Sequence, residues 1–180
     1  MSTRDRTANL LGALALAISD RTTAAVTGVA GNSATAAAAL SALDQFLDRP
    51  TIDRLRQVLG LTPSGTVRLV DRLEEEGHVT RGPGTDGRSR SVALTRKGKR
   101  TAARIAAART GVLTESLGGL STAELSTLHG LLGRVMAAYV RTNLDHPGEQ
   151  GWICRLCDLS ACGRAAGHCP TANTARALTA

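Results

Sequence analysis

The chain has 180 residues and a formal net charge of +7, with 22 Lys and Arg against 15 Asp and Glu. The length suits one domain with helical extensions, and the charge favours a polyanionic partner, nucleic acid or an anionic surface. Only three residues are aromatic, Phe46, Tyr139 and Trp152. That excludes a stacking platform for single-stranded nucleic acid and points to duplex DNA read through a groove.

Residues 1–8 are expected to be loose and residues 9–28 to form a helix, with Leu11, Leu14, Ile18, Ala25 and Val29 on one stripe. Arg4 and Arg6 before an apolar run resemble a signal peptide. Asp5, and apolar residues continuing past Asp20, favour an amphipathic helix instead. No run is read as long enough to span a bilayer. The expectation is a cytoplasmic protein with no membrane partner, in which thiols stay reduced or bind metal.

Gly31-Asn32 breaks the first helix, and Ser33 opens a second over residues 33–47. Its run Ala36-Ala37-Ala38-Ala39 is strongly helix-forming and allows close helix approach. Arg49-Pro50 ends it. A short helix over 52–59 closes at Gly60. Thr62 then caps a helix over 63–76, with Pro63 at its first position. Residues 79–81 and 91–94 read as strands of a hairpin around a Gly- and Pro-rich tip. Thr95 caps a helix to about 117, and the capping box Ser121-Thr122-Ala123-Glu124 opens another to about 143. A linker containing His146-Pro147-Gly148 leads to a tail with all four cysteines.

The expected fold is therefore mainly α with a small β-hairpin wing: a winged helix-turn-helix plus long dimerisation helices. We divide it into residues 1–48 (N-terminal helices for dimerisation and support), 49–98 (DNA-binding region), 99–145 (C-terminal dimerisation helices) and 146–180 (linker and four-cysteine metal-binding tail). In the second helix of the unit, Thr66, Leu69, Val70 and Leu73 share an anchoring face. Ser64, Val67, Arg68 and Arg72 occupy the opposite one. Thr62, Pro63, Ser64 and Gly65 place free backbone N–H groups, a hydroxyl and a bare backbone at the helix start, where a phosphate binds. Arg68 suits guanine O6 and N7, and Val67 suits a thymine methyl. Arg81, Arg88 and Arg90 surround the wing tip and are placed to reach a minor groove or its phosphates, with Asp86 fixing the loop. Lys97, Lys99 and Arg100 extend the basic patch as phosphate contacts.

Leu61-Thr62-Pro63-Ser64-Gly65, Arg68-Leu69-Val70-Asp71-Arg72-Leu73-Glu74, Asp86-Gly87-Arg88 and Val92-Ala93-Leu94-Thr95-Arg96-Lys97-Gly98 resemble the MarR (multiple-antibiotic-resistance regulator) family. The resemblance covers about residues 9–143 and is specific over 61–98. It implies a homodimeric transcriptional regulator, not an enzyme, that binds a pseudo-palindromic operator in double-stranded DNA. It implies that the first and last helices form the dimer interface, and that Asp86 and Arg88 hold the wing and contact DNA. In that family a small-molecule effector or cysteine oxidation often lowers DNA affinity. Thr66 and Val67 depart from the usual apolar and small polar pair, so the sequence read there differs. The cysteine tail is outside the family pattern.

Cys154-x2-Cys157-x4-Cys162-x6-Cys169 suits a tetrahedral zinc site, with Zn–S distances of roughly 2.3 Å. It also suits an iron–sulfur cluster, which Cys169-Pro170 favours slightly. Zinc is placed first. His168 is a possible replacement ligand, and Arg155 and Arg164 are possible donors to sulfur. Disulfides are disfavoured in the cytoplasm, while metal-free redox thiols remain an alternative. The competing functions are a metal or redox protein, or an adaptor, in which the tail carries the main activity.

Overall fold

The computed structural model describes residues 2–31, 33–84, 89–143 and 153–178. Helix α1 (Thr3–Val29) opens the chain, followed by α2 (Ala34–Gln45), α3 (Ile52–Leu59) and α4 (Pro63–Glu75). Strands β1 (Val79–Pro83) and β2 (Arg90–Leu94) precede α5 (Arg96–Leu117) and α6 (Thr122–Asn143). Two short helices lie in the tail, α7 (Leu159–Cys162) and α8 (Pro170–Ala177). The mainly helical fold with a two-stranded wing matches the expectation.

The first eight residues are a correction. Ser2 and Asp5 form a reciprocal capping box, so α1 begins at Thr3 rather than near Asn9. The expectation of no bilayer-length run also needs correcting. Alanine adds apolar character without bulk, and α1 is long and apolar enough, by length and composition alone, to cross a membrane. Its C-terminal half packs within the protein: Val26 is buried, α1 runs along α5, and Arg21 pairs with Glu115 of α5 at 2.7 Å. Helix α2 stops at Gln45, two residues early, because both Phe46 and Leu47 return their N–H groups to Ala42 O.

The core gathers around α2, whose Ala36, Ala37, Ala38, Ala39 and Ala42 are at most 5 % exposed. Alanine walls let α1, α3, α4, α5 and β2 all reach this one helix. Leu55, Val58, Leu69, Val70 and Leu73 pack the helix-turn-helix onto it. Cap residues set each boundary: Thr51 starts α3, Gly60 ends it with φ 63°, and Thr62 starts α4. β1 and β2 pair antiparallel with Val79 opposite Leu94 and Pro83 opposite Arg90. A bridge from Thr51 to Ser91 ties the wing to the start of α3.

The junction between α4, β1 and α5 is tight. The Thr95 hydroxyl donates to Gly77 O (2.7 Å) and accepts from Gly98 N, so one side chain joins the end of α4 to the start of α5. Gly98 lies directly against the His78 carbonyl oxygen, and any Cβ there would clash with it. Gly98→Ala should lower stability by about 3 kcal/mol, since the opposing atom is rigid backbone. Denaturant unfolding of the variant checks this.

Burial, aided by Lys97, holds the His78 imidazole below its ordinary value, while Glu76 opposes the shift. Its Nδ1 is buried without a hydrogen-bond partner among the described residues. The folded state therefore takes up this proton less readily than the unfolded chain. The stability contribution is complete above the ordinary imidazole value of 6.5 and declines as pH falls through it. Urea midpoints at about pH 7.5 and about pH 5.5 should differ. His78→Phe should narrow that difference.

Candidate nucleic-acid interface and cysteine tail

Helix α4 divides as its sequence suggests. Thr66, Leu69, Val70 and Leu73 are buried, and Thr66 satisfies its hydroxyl on Thr62 O at 2.9 Å. Ser64, Val67, Arg68 and Arg72 are exposed, as are Thr62 and Pro63 at the helix start. Val67 is 43 % exposed, a large apolar side chain facing out beside two arginines. Neither Arg68 nor Arg72 forms an ion pair among the described residues, with Glu75, Glu76 or any other carboxylate.

Gly65 has a structural task besides closeness to DNA. A Cβ there would sit 3.0 Å from the Thr62 cap hydroxyl, which accepts from Gly65 N at 3.1 Å. The bare glycine keeps the cap intact at the end of α4 that would meet a phosphate.

The wing differs from expectation at Arg81. Its guanidinium pairs with Asp71 (2.5 Å) and with Glu74 (2.8 Å), and Glu74 also accepts from the Arg81 backbone N–H. These partners raise its pKa, the hydrogen bond to Asp71 foremost. Arg81 is thus turned inward as a latch between wing and α4, not outward to a groove. Sequence reading missed it because Asp71 and Glu74 are ten and seven residues away, a spacing with no local signature. Lys97 is likewise engaged, donating to Glu76 O at the end of α4 (2.7 Å). Lys99, Arg100 and Arg90 are exposed. Asp86 and Arg88 lie outside the described residues.

The tail packs chiefly on α6 through α8. It also touches the body: Leu159 N donates to Gln45 Oε1 at 2.9 Å, and Leu156 packs against the main core. Cys154 and Cys169 are buried, while Cys157 and Cys162 are half-buried. The thiols of Cys154 and Cys157 share a hydrogen bond. That bond and burial push Cys154 up, whereas the same bond, with Arg109 and Arg155 nearby, lowers Cys157 to about 6. As placed, no three His, Cys, Asp or Glu side chains among the described residues converge as a ready metal site. The donor chemistry suits a thiophilic metal; the finished tetrahedron is not formed. Gln45 and Arg109 carried no sequence signal, since each reaches the tail from a distant part of the chain.

A capped recognition helix, a short turn and a latched two-stranded wing define a winged helix-turn-helix protein. Residues 30–89, one third of the chain, match the model of the MarR family. Solved structures extend the likeness to the fold around it. YusO from Bacillus subtilis is similar at 18 % identity and a TM-score of 0.64, covering 75 % of this chain and 97 % of YusO. A MarR-family transcriptional regulator from Rhodococcus sp. RHA1 is similar at 20 % identity and a TM-score of 0.55, over 75 % of this chain and 96 % of that one. CouR from Rhodococcus jostii RHA1, solved with p-coumaroyl-CoA, is similar at 20 % identity and a TM-score of 0.53, over 75 % and 94 %. No curated protein matches the chain in sequence.

Arg81→Met should remove the latch. Because all three side chains are partly solvated, the stability loss is about 1 kcal/mol. DNA affinity should fall similarly for every sequence tested, with the order of preferred sites unchanged. A change of preferred site in a binding-selection experiment would instead put Arg81 in the groove.

Proposed function

We propose that the chain is a sequence-specific, duplex-DNA-binding transcriptional regulator that acts in the cytoplasm as a homodimer on a pseudo-palindromic operator. The observation that carries this reading is the outer face of α4. Ser64, Val67, Arg68 and Arg72 are exposed there, and its two arginines have no ion-pair partner among the described residues. Arg68 is assigned to a guanine edge and Val67 to a thymine methyl. Ser64, Arg72 and the first-turn backbone N–H of Ser64 serve phosphates, with Thr62, Pro63 and Gly65 shaping that helix start. Arg88 and Arg90 are assigned to the wing's contact with the adjacent minor groove, and Asp86 to shaping its loop.

Dimerisation rests on a second observation. Leu10, Leu14 and Leu16 of α1 and Leu131, Leu132, Val135 and Tyr139 of α6 are large apolar side chains between 48 % and 69 % exposed. A patch of this kind on two long helices is an interface awaiting its partner. A second copy related by a two-fold axis covers it with itself. That symmetry sets two α4 helices one DNA turn apart, roughly 34–36 Å.

A cleft of about 600 Å³ lies between the segment joining α2 to α3, strand β2 and the start of α5, with Phe46, Arg49 and Lys99 among its walls. CouR was solved with p-coumaroyl-CoA. In the present chain this cleft is the place we assign to a small-molecule effector, because a ligand there would press on the wing strand.

Arg68→Ala should cost about 1–3 kcal/mol on the preferred operator and relax the choice at one base pair. Arg88→Ala should weaken all duplexes alike and reduce the salt dependence. Fluorescence anisotropy against a selected operator and a scrambled duplex measures both. Equal affinity for the two duplexes at moderate salt would sink the reading.

A further inference from the structure

We propose that Cys154, Cys157, Cys162 and Cys169 hold one thiolate-bound metal centre that clamps the tail onto α2 and α5. The backbone closes two turns that draw the four cysteine positions toward one another. Cys157 N donates to Cys154 O at 2.8 Å, so the first pair spans a single tight turn. Cys162 ends α7 and is followed by Gly163, with φ 64°. His168 N then donates to Gly163 O at 2.9 Å, and a Cβ on Gly163 would lie 3.0 Å from His168 Cβ. The ends of this loop therefore meet, and the residues flanking the closure are Cys162 and Cys169.

The tail's own packing does not account for its order. Besides Cys154 and Cys169, its buried residues among those described are Thr171, Ala172 and Ala175. Burying an alanine methyl contributes about 0.8 kcal/mol, against a backbone ordering cost of about 1–2 kcal/mol for every residue. Segments of this size need a staple, and metal binding supplies folding free energy directly. Arg109, Arg155 and Arg164 lie close enough to act on the thiols. On binding zinc, the thiols that are still protonated release their protons to solvent and no electron moves. The centre then carries a net charge of −2, which these arginines offset. What the metal adds to the described arrangement is convergence of the four sulfurs.

The clamp follows from where the tail touches the body. Leu159 is hydrogen-bonded to Gln45, the last residue of α2, and Leu156 is inserted against the main core. Arg109 on α5 acts on both Cys157 and Asp158. Helices α2 and α5 are the supports on which the winged unit sits, so metal loading holds the frame of the DNA-reading unit.

The test uses the full chain, purified without oxygen and loaded with zinc as the probe. The expected result is one zinc per chain, four thiols protected from a thiol reagent, and faster amide exchange at α7, α8 and the end of α2 after chelation. Cys162→Ser and Cys169→Ser should each weaken zinc binding by about tenfold or more, with exchange in α4 unchanged to show that the body stays folded. Gln45→Ala should retain one zinc per chain while freeing the end of α2 from its metal dependence. Iron and acid-labile sulfide in the isolated protein, with visible absorption, would support the centre and assign it to a cluster. Substoichiometric metal with four freely reactive thiols, or disulfides formed in its place, would overturn it. Exchange at α2 that ignores the metal would overturn the clamp. Metal stoichiometry and thiol protection are read without DNA, so failure of operator binding leaves this outcome separate.

Discussion

The burial of α2 is the constraint on which the rest of the molecule depends. A helix contacted by four other helices and a strand leaves no room for large side chains on every face. Ala36, Ala37, Ala38, Ala39 and Ala42 meet that condition, while Leu40 and Leu43 supply the apolar bulk at two places. Alanine also carries the strongest intrinsic preference for helix, so the residue that permits close packing also holds the helix together. The same helix ends at Gln45, whose amide faces the tail. Its position is thereby shared by the winged unit, the long helices and the cysteine segment.

Around that helix, α4 and the wing are held by polar contacts. Arg81 joins the wing to α4 through Asp71 and Glu74. The Thr95 hydroxyl joins the end of α4 to the start of α5, and the Gly98–His78 contact brings the backbones together. These side chains are spent on geometry. They leave Arg68, Arg72 and Arg90 exposed as positive groups beside the surface proposed to meet DNA. The division matters because phosphate contacts fix register while base contacts choose sequence, and both fail if the wing and α4 drift relative to each other.

The tail is a different physical problem. It has too little apolar surface to fold by burial, and it rests on α6, a helix whose Leu125, Leu131, Leu132, Val135 and Tyr139 are exposed. Its contacts with Gln45 and Arg109 give an otherwise peripheral segment access to the helices that carry the reading head.

Much of the fold was legible in the chain because its boundaries are set locally. Thr51, Thr62, Thr95 and the Ser121–Glu124 box stop or start helices through contacts within three residues, and Gly60 ends one by adopting a left-handed backbone. The two faces of α4 were legible from periodicity alone. The extent of α1 was less so: its capping box lies in a polar, charged opening segment, and alanine hides how apolar the helix is. What only the tertiary structure decided are the pairings between distant residues. Arg81 looked like any wing arginine until Asp71 and Glu74 were placed beside it, and Lys97 looked free until the end of α4 reached it. Cys spacing names a donor set, but only the fold shows that its segment leans on Gln45 and Arg109. Local backbone preferences are written residue by residue, whereas a long-range partner is chosen by how the helices pack.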